Sequence, residues 1–185
     1  MPRKPRNAYV GGLFHVGTRG NNKQDVYLGG ADRYWFLEMF GKVVVRYAWD
    51  IYAYCLMTNH YHLVLVTPEP NISQGMHHLN GVYARWFNHR HGYAGHLFQR
   101  RFHSAVIESD WHLLEACRYV VLNPVRAGIV SGPSDWEWSS YRATVGASGS
   151  GSTLAVDELL KFFGRRRNTA REAFRAFVAD APSRR

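Results

Sequence analysis

Residues 50–67 read DIYAYCLMTNHYHLVLVT. Asp50 to Met57 and His60 to Thr67 are two runs rich in β-branched, aromatic and aliphatic residues, and Thr58-Asn59 forms the turn between them. The pair reads as two adjacent strands. Both are apolar on both faces over much of their length, which marks central strands, covered on at least one face and partly on the other. Pro68 and Pro70 end the second strand. Side chains alternate along a strand, so His60 and His62 point to the same face.

Outward from this hairpin, Leu13 to Thr18 is a short apolar strand closed by the turn Arg19-Gly20-Asn21-Asn22. Ala31-Asp32 opens a helix in which Trp35, Phe36, Met39, Phe40, Val43 and Val44 recur at helical spacing, and which ends near Tyr47. On the other side, a helix from Ile72 to about Asn88 carries Met76, Leu79, Val82, Tyr83 and Trp86 on one face. A Gly- and Arg-bearing loop follows, and Phe102 to Ile107 alternates as a strand. The order β, α, β, β, α, β predicts the α+β class: a ferredoxin-like βαββαβ core, an antiparallel sheet with helices on one face. A third helix, capped by Ser109 or Asp110, runs to about Leu122 and is stopped by Pro124. Residues 1–145 form the main domain. Residues 146–185 read as a Gly/Ser linker and a basic helical extension with Arg165-Arg166-Arg167 between two helical patterns.

The 185 residues carry 23 Lys+Arg against 14 Asp+Glu, a net charge of +9. That balance favours a polyanionic partner, nucleic acid before a membrane surface. No apolar run approaches the roughly 18 residues of a membrane span. The basic N-terminus has no apolar segment behind it, and Cys55 and Cys117 sit inside apolar segments, so the expected compartment is a reducing one, the cytoplasm.

Two imidazoles on one strand face make half of a divalent-metal site. The same spacing also suits two histidines satisfied by neighbours in a half-buried sheet. A second His-x-His, His89 and His91, falls at the end of a helix, where residues two apart splay around the axis. It reads, with His96, as surface or phosphate-facing. On the third helix, Tyr119 and Asn123 are four residues apart and share a flank with His112 and Ala116. A phenol and an amide thus project together, although an Asn at a helix end is also a common local arrangement. If this helix packs beside the strand of His60, the four groups meet.

Asn59-His60-Tyr61-His62, followed by Tyr119-Val120-Val121-Leu122-Asn123-Pro124-Val125-Arg126-Ala127-Gly128, resembles the HUH-type single-tyrosine transposases, most of all the branch associated with REP elements. Phe14 to Asn21 and Leu97 to Phe102 share the resemblance, which spans roughly residues 9–145. It implies a DNA nickase and strand transferase with Tyr119 as nucleophile, His60 and His62 as metal ligands, Asn123 in the place of a third ligand, and Mg²⁺ or Mn²⁺ as the cofactor. The expected partner is single-stranded or hairpin DNA, with Arg19, Lys23, Arg100, Arg101, Arg118 and Arg126 as candidates for its phosphates and His112 as a candidate base. Competing readings are a non-catalytic single-stranded nucleic-acid-binding protein on the same fold, and an enzyme of the replication-initiator or relaxase type. The pattern does not separate a monomer from a homodimer.

Overall fold

The computed structural model describes residues 11–147 and 153–181. The elements, in order, are β1 (Gly12–Arg19), α1 (Gly30–Tyr47), β2 (Asp50–Leu56), β3 (His60–Thr67), α2 (Ile72–His91), β4 (His103–Val106), α3 (Asp110–Val121), α4 (Asn123–Arg126), α5 (Tyr141–Thr144), α6 (Val156–Leu160) and α7 (Arg167–Ala179). The strands form one antiparallel sheet in the order β2-β3-β1-β4. This is the βαββαβ topology that the sequence predicts. Most of the expected Gly/Ser linker, residues 148–152, lies outside the described residues.

The period of two along the strands sorts two cores. Phe14, Val16, Tyr61, Leu63 and Leu65 face Phe36 and Phe40 of α1 and Met76, Leu79 and Tyr83 of α2. The opposite face presents Ala53, Cys55 and Val64 to Leu113, Cys117 and Val120 of α3. The helices α1 and α2 thus share one face, while α3 covers the other over β2 and β3 and leaves the β1 side open. The helical C-terminal segment belongs to this second core. Ala170, Phe174 and Val178, one turn apart on α7, are all buried there. Burying a side chain such as Phe174 contributes about 1.5–3 kcal/mol.

β2 is an edge strand, and the chain closes that edge itself. Leu56 N–H donates to Trp138 O at 2.8 Å, Ser140 N–H to Tyr54 O at 3.0 Å, and Ala155 N–H to Ile51 O at 2.8 Å. Covering an edge in this way removes a template for pairing with another chain.

Two placements differ from expectation: β2, expected to be central, lies at the sheet edge, and His91, expected at the surface, turns inward. The helix α2 continues past Asn88 to His91, and His91 faces inward rather than toward phosphate: its Nε2 lies 3.0 Å from Asp32 Oδ1. That carboxylate, 2% exposed, also accepts the Leu28 N–H at 2.7 Å and lies 3.6 Å from Arg90 Nε. A buried carboxylate needs such partners, and the need ties the end of α2 to the start of α1.

Both cysteines are buried and unpaired. Burial pushes the Cys55 thiol up to about 12 and raises that of Cys117 as well. The thiolate is the reactive form. The native protein is therefore expected to resist iodoacetamide near pH 8 and to take two labels once unfolded. Rapid labelling of either cysteine in the folded protein, read by mass spectrometry, would contradict this core.

Candidate active site

The face of the sheet left open beside α3 is polar. Along β1, His15, Gly17 and Arg19 alternate outward while Phe14, Val16 and Thr18 face inward. Register sets Arg19 opposite His60 and Gly17 opposite both His62 and His103. One sheet face therefore carries His15, His60, His62, His103 and Arg19 together. A Cβ on Gly17 would stand 3.4 Å from His62 Cε1 and Nδ1, so the imidazole lies directly over this glycine.

The helix α3 brings its flank to this face. Ser109 caps it, accepting the His112 N–H at 3.2 Å. It ends at Val121, and Pro124 occupies the first turn of α4, where a missing N–H is harmless. Asn123 therefore opens α4 rather than closing α3, yet it stays beside Tyr119: its Nδ2 donates to Tyr119 O at 3.3 Å. Ala116, small and buried, sits one turn before Tyr119.

The four groups meet within one chain. The Tyr119 and His62 rings lie 5.7 Å apart between centroids, and those of His60 and His62 5.2 Å. Asn123 and His60 line one cleft together with Tyr119. Asn59 Oδ1 lies 2.7 Å from His60 Nδ1 and takes its proton when the ring is neutral, which leaves Nε2 with its lone pair. Asn59 is itself fixed, its Nδ2 donating to Lys23 O at 3.0 Å and its carbonyl accepting the Gly20 N–H at 2.8 Å.

The imidazoles are held neutral. Burial, then the charge of Arg19, lowers His60 to about 4, against the opposing hydrogen bond from Asn123. Burial, then His15, His60, Arg19 and His103, lowers His62 to about 3. Burial, His103 and His112 lower His15. Neutral imidazole is the ligating form. Among the described residues no three His, Cys, Asp or Glu side chains form a metal-holding group. The donor set on offer is two imidazoles and an amide oxygen, and all three are neutral donors that suit a divalent ion with open positions.

Sequence reasoning assigned no role to His15 or Asn59. The Nε2 of His15 lies 3.0 Å from His62 Nδ1, and its ring centroid 5.7 Å from that of Tyr119. The alternation of β1 carried a trace of this, but the pairing of β1 with β3 is invisible in one strand. A partner on the far nitrogen of a ligating imidazole fixes its tautomer and orientation, and its loss typically costs 10–100-fold in metal affinity. His15→Phe is accordingly expected to weaken Mn²⁺ binding by about 10-fold or more, with partial recovery in His15→Gln. Equal affinities in a Mn²⁺ titration followed by electron paramagnetic resonance would refute that support.

The cationic candidates divide. Arg19, Arg100 and Arg101 line a cleft of about 650 Å³ with His15, His60 and His62. Arg126 Cζ sits 5.0 Å over the Tyr119 ring. Lys23 is exposed on the turn that Asn59 holds. Arg118 departs from expectation. It is 7% exposed, pairs with Glu115 at 2.5 Å, donates to Phe177 O at 3.2 Å and covers the Phe177 ring at 4.4 Å. Its guanidinium is committed to holding α7 against α3 and is not presented to a phosphate. Successive helical positions point about 100° apart, so Tyr119 faces the site and Arg118 faces α7.

With this geometry, comparison with known proteins is decisive. A profile of the family "Transposase IS200 like" matches residues 12–123, from the first residue of β1 to Asn123. The chain belongs to the IS200-like transposase family. It is 28% identical over 123 residues to a Haemophilus influenzae protein named "Putative REP-associated tyrosine transposase", covering 60% of this chain and 70% of that one. Its fold matches that of a REP-associated tyrosine transposase solved bound to a REP hairpin, with a TM-score of 0.65 and 23% identity over 85% of this chain and 90% of the other. As an IS200-like transposase it is an enzyme, and the family match contains the strand of His60 and His62 and the helix of Tyr119.

Proposed function

We propose that this transposase is a metal-dependent single-strand DNA endonuclease and strand transferase, with Tyr119 as its nucleophile and hairpin or repeat DNA as its substrate. The observation that carries the reading is the meeting of Tyr119 with His60 and His62 in a single chain, at a ring distance of 5.7 Å from His62. No second copy is needed to complete the set.

In the reaction, the Tyr119 oxygen attacks the phosphorus of a phosphodiester and gives up its proton. The bond from phosphorus to the 3′ oxygen breaks, and that oxygen leaves as a 3′-OH after taking a proton. The product is a 5′-phosphotyrosine. The bond energy is kept in the covalent link, so rejoining to another 3′-OH needs no nucleotide cofactor. His60, His62 and Asn123 would hold Mg²⁺ or Mn²⁺, which when bound would polarise the phosphate and offset charge on its oxygens. Arg126, over the Tyr119 ring, adds a positive charge to the site. Asn59 and His15 orient the imidazoles. Arg19, Arg100 and Arg101 along the cleft neutralise the backbone of the bound strand.

The hairpin preference follows the solved relative, which was bound to a REP hairpin. Incubation of the protein with Mn²⁺ and end-labelled hairpin-bearing single strands tests the whole reading. A covalent protein–DNA adduct with release of a 3′-OH fragment is expected; DNA binding without an adduct in any divalent metal would reduce the protein to a binding module.

A further inference from the structure

His60 borders more than the basic cleft. A second cleft, of about 760 Å³, has both His60 and Tyr119 in its lining. The first cleft presents Arg19, Arg100 and Arg101. The second is walled by Met57, Leu122, Val125, Tyr141 and Val178, and Arg126 is its one guanidinium. His60 lines both, so a phosphate held at Tyr119 and His60 stands at the border between a compartment with three guanidinium groups and one with a single guanidinium and several aliphatic walls.

A strand crossing this border meets two chemistries. On one side its charged backbone lies along guanidinium groups. On the other, the base of a nucleotide beside the attacked phosphate meets the walls of the second cleft, Met57, Leu122, Val125, Tyr141 and Val178. We infer that the second cleft is a nucleobase pocket, taking the unstacked base of the nucleotide adjoining the phosphate that Tyr119 attacks; this rests on the nuclease reading above.

The energetics favour such a pocket. An enzyme that works on one nucleotide of a strand must draw it from its stack, against the stacking energy. Aliphatic walls and an aromatic ring compensate, since a base packs favourably against an aromatic side chain. Tyr141 and Met57, 6% and 3% exposed, offer a rigid ring and an adaptable thioether. Val178 and Ala179, at the end of α7, complete the wall. The C-terminal helix, held in place by Arg118 and Phe174, would then shape the site as well as close the core.

The test uses the full chain with Tyr119→Phe, so that DNA stays uncleaved, and a hairpin-bearing single strand whose cleavage point has been mapped with the wild type. 5-Iododeoxyuridine is placed immediately on either side of that point, the complex is irradiated, and crosslinked peptides are identified by mass spectrometry. From one flank the crosslink is expected at Met57 or Tyr141. Crosslinks from both flanks confined to the basic cleft, at Phe102 or His103, would overturn the pocket, as would none to its walls. In parallel, an abasic nucleotide on the crosslinking flank is expected to lower wild-type cleavage at least 10-fold. Ser131→Trp, which fills the cleft from its exposed rim, should do the same, and the two changes together should add little. Full cleavage of the abasic strand would also reject the proposal. A wild-type adduct without pocket crosslinks defeats the base pocket alone, whereas no adduct on any strand defeats the nuclease reading and the pocket with it.

Discussion

Tyr119→Phe is expected to bind hairpin-bearing single-stranded DNA as the wild type does and to form no covalent adduct. The change removes one oxygen and keeps the ring, so the contacts with His15 and His62 and the stacking of Arg126 survive. Tyr119 is only partly buried, which limits any cost to folding. Loss of the nucleophile leaves no atom to form the phosphotyrosine, and cleavage should fall to background. The measurement pairs a gel-shift titration with a denaturing gel of labelled DNA. A labelled band that persists with the protein in Tyr119→Phe would show that another residue attacks, and Tyr119 would then be a packing residue at the edge of α3.

The second large effect is expected from His60→Ala. His60 is the group on which the proposed ligand set converges, touched by Asn59 on one side and Asn123 on the other. Metal polarisation of a phosphoryl oxygen is worth several kcal/mol, and each 1.36 kcal/mol is tenfold in rate. Cleavage in Mn²⁺ should therefore drop by at least about 100-fold, with Mn²⁺ binding weakened in the same variant and circular dichroism unchanged. Wild-type cleavage by His60→Ala would remove the metal role. So would wild-type cleavage in excess EDTA. The two variants are diagnostic together, because loss of the adduct with retained Mn²⁺ affinity belongs to Tyr119 and loss of both belongs to His60.

Much of the fold was legible in local patterns. The apolar runs either side of Thr58-Asn59 gave the β2-β3 hairpin, though not the edge position of β2, and the helical spacing of Trp35 to Val44 and of Met76 to Trp86 gave the two helices on one face. These signals are local, since side-chain period follows directly from backbone geometry. Where the reading fell short, the deciding contact was distant in sequence. His91 turned inward because Asp32, 59 residues away, is buried and needs a partner. Arg118 left the DNA-facing set because Phe177, also 59 residues away, offers a ring and a carbonyl. The share of α7 in the second core escaped notice because α7 meets α3 only once the chain has folded across β2.

The site divides in the same way. By itself the sequence determined that His60 and His62 share a face, that Tyr119 and Asn123 share a flank, and that the chain is basic. Each follows from spacing on one element. Only the tertiary structure decided that face and flank meet, that Gly17 lies under His62, that His15 and Asn59 hold the imidazoles, and that His60 stands between two clefts. Those facts depend on sheet register and on the packing of α3 and α7, which arise from contacts between residues far apart in the chain.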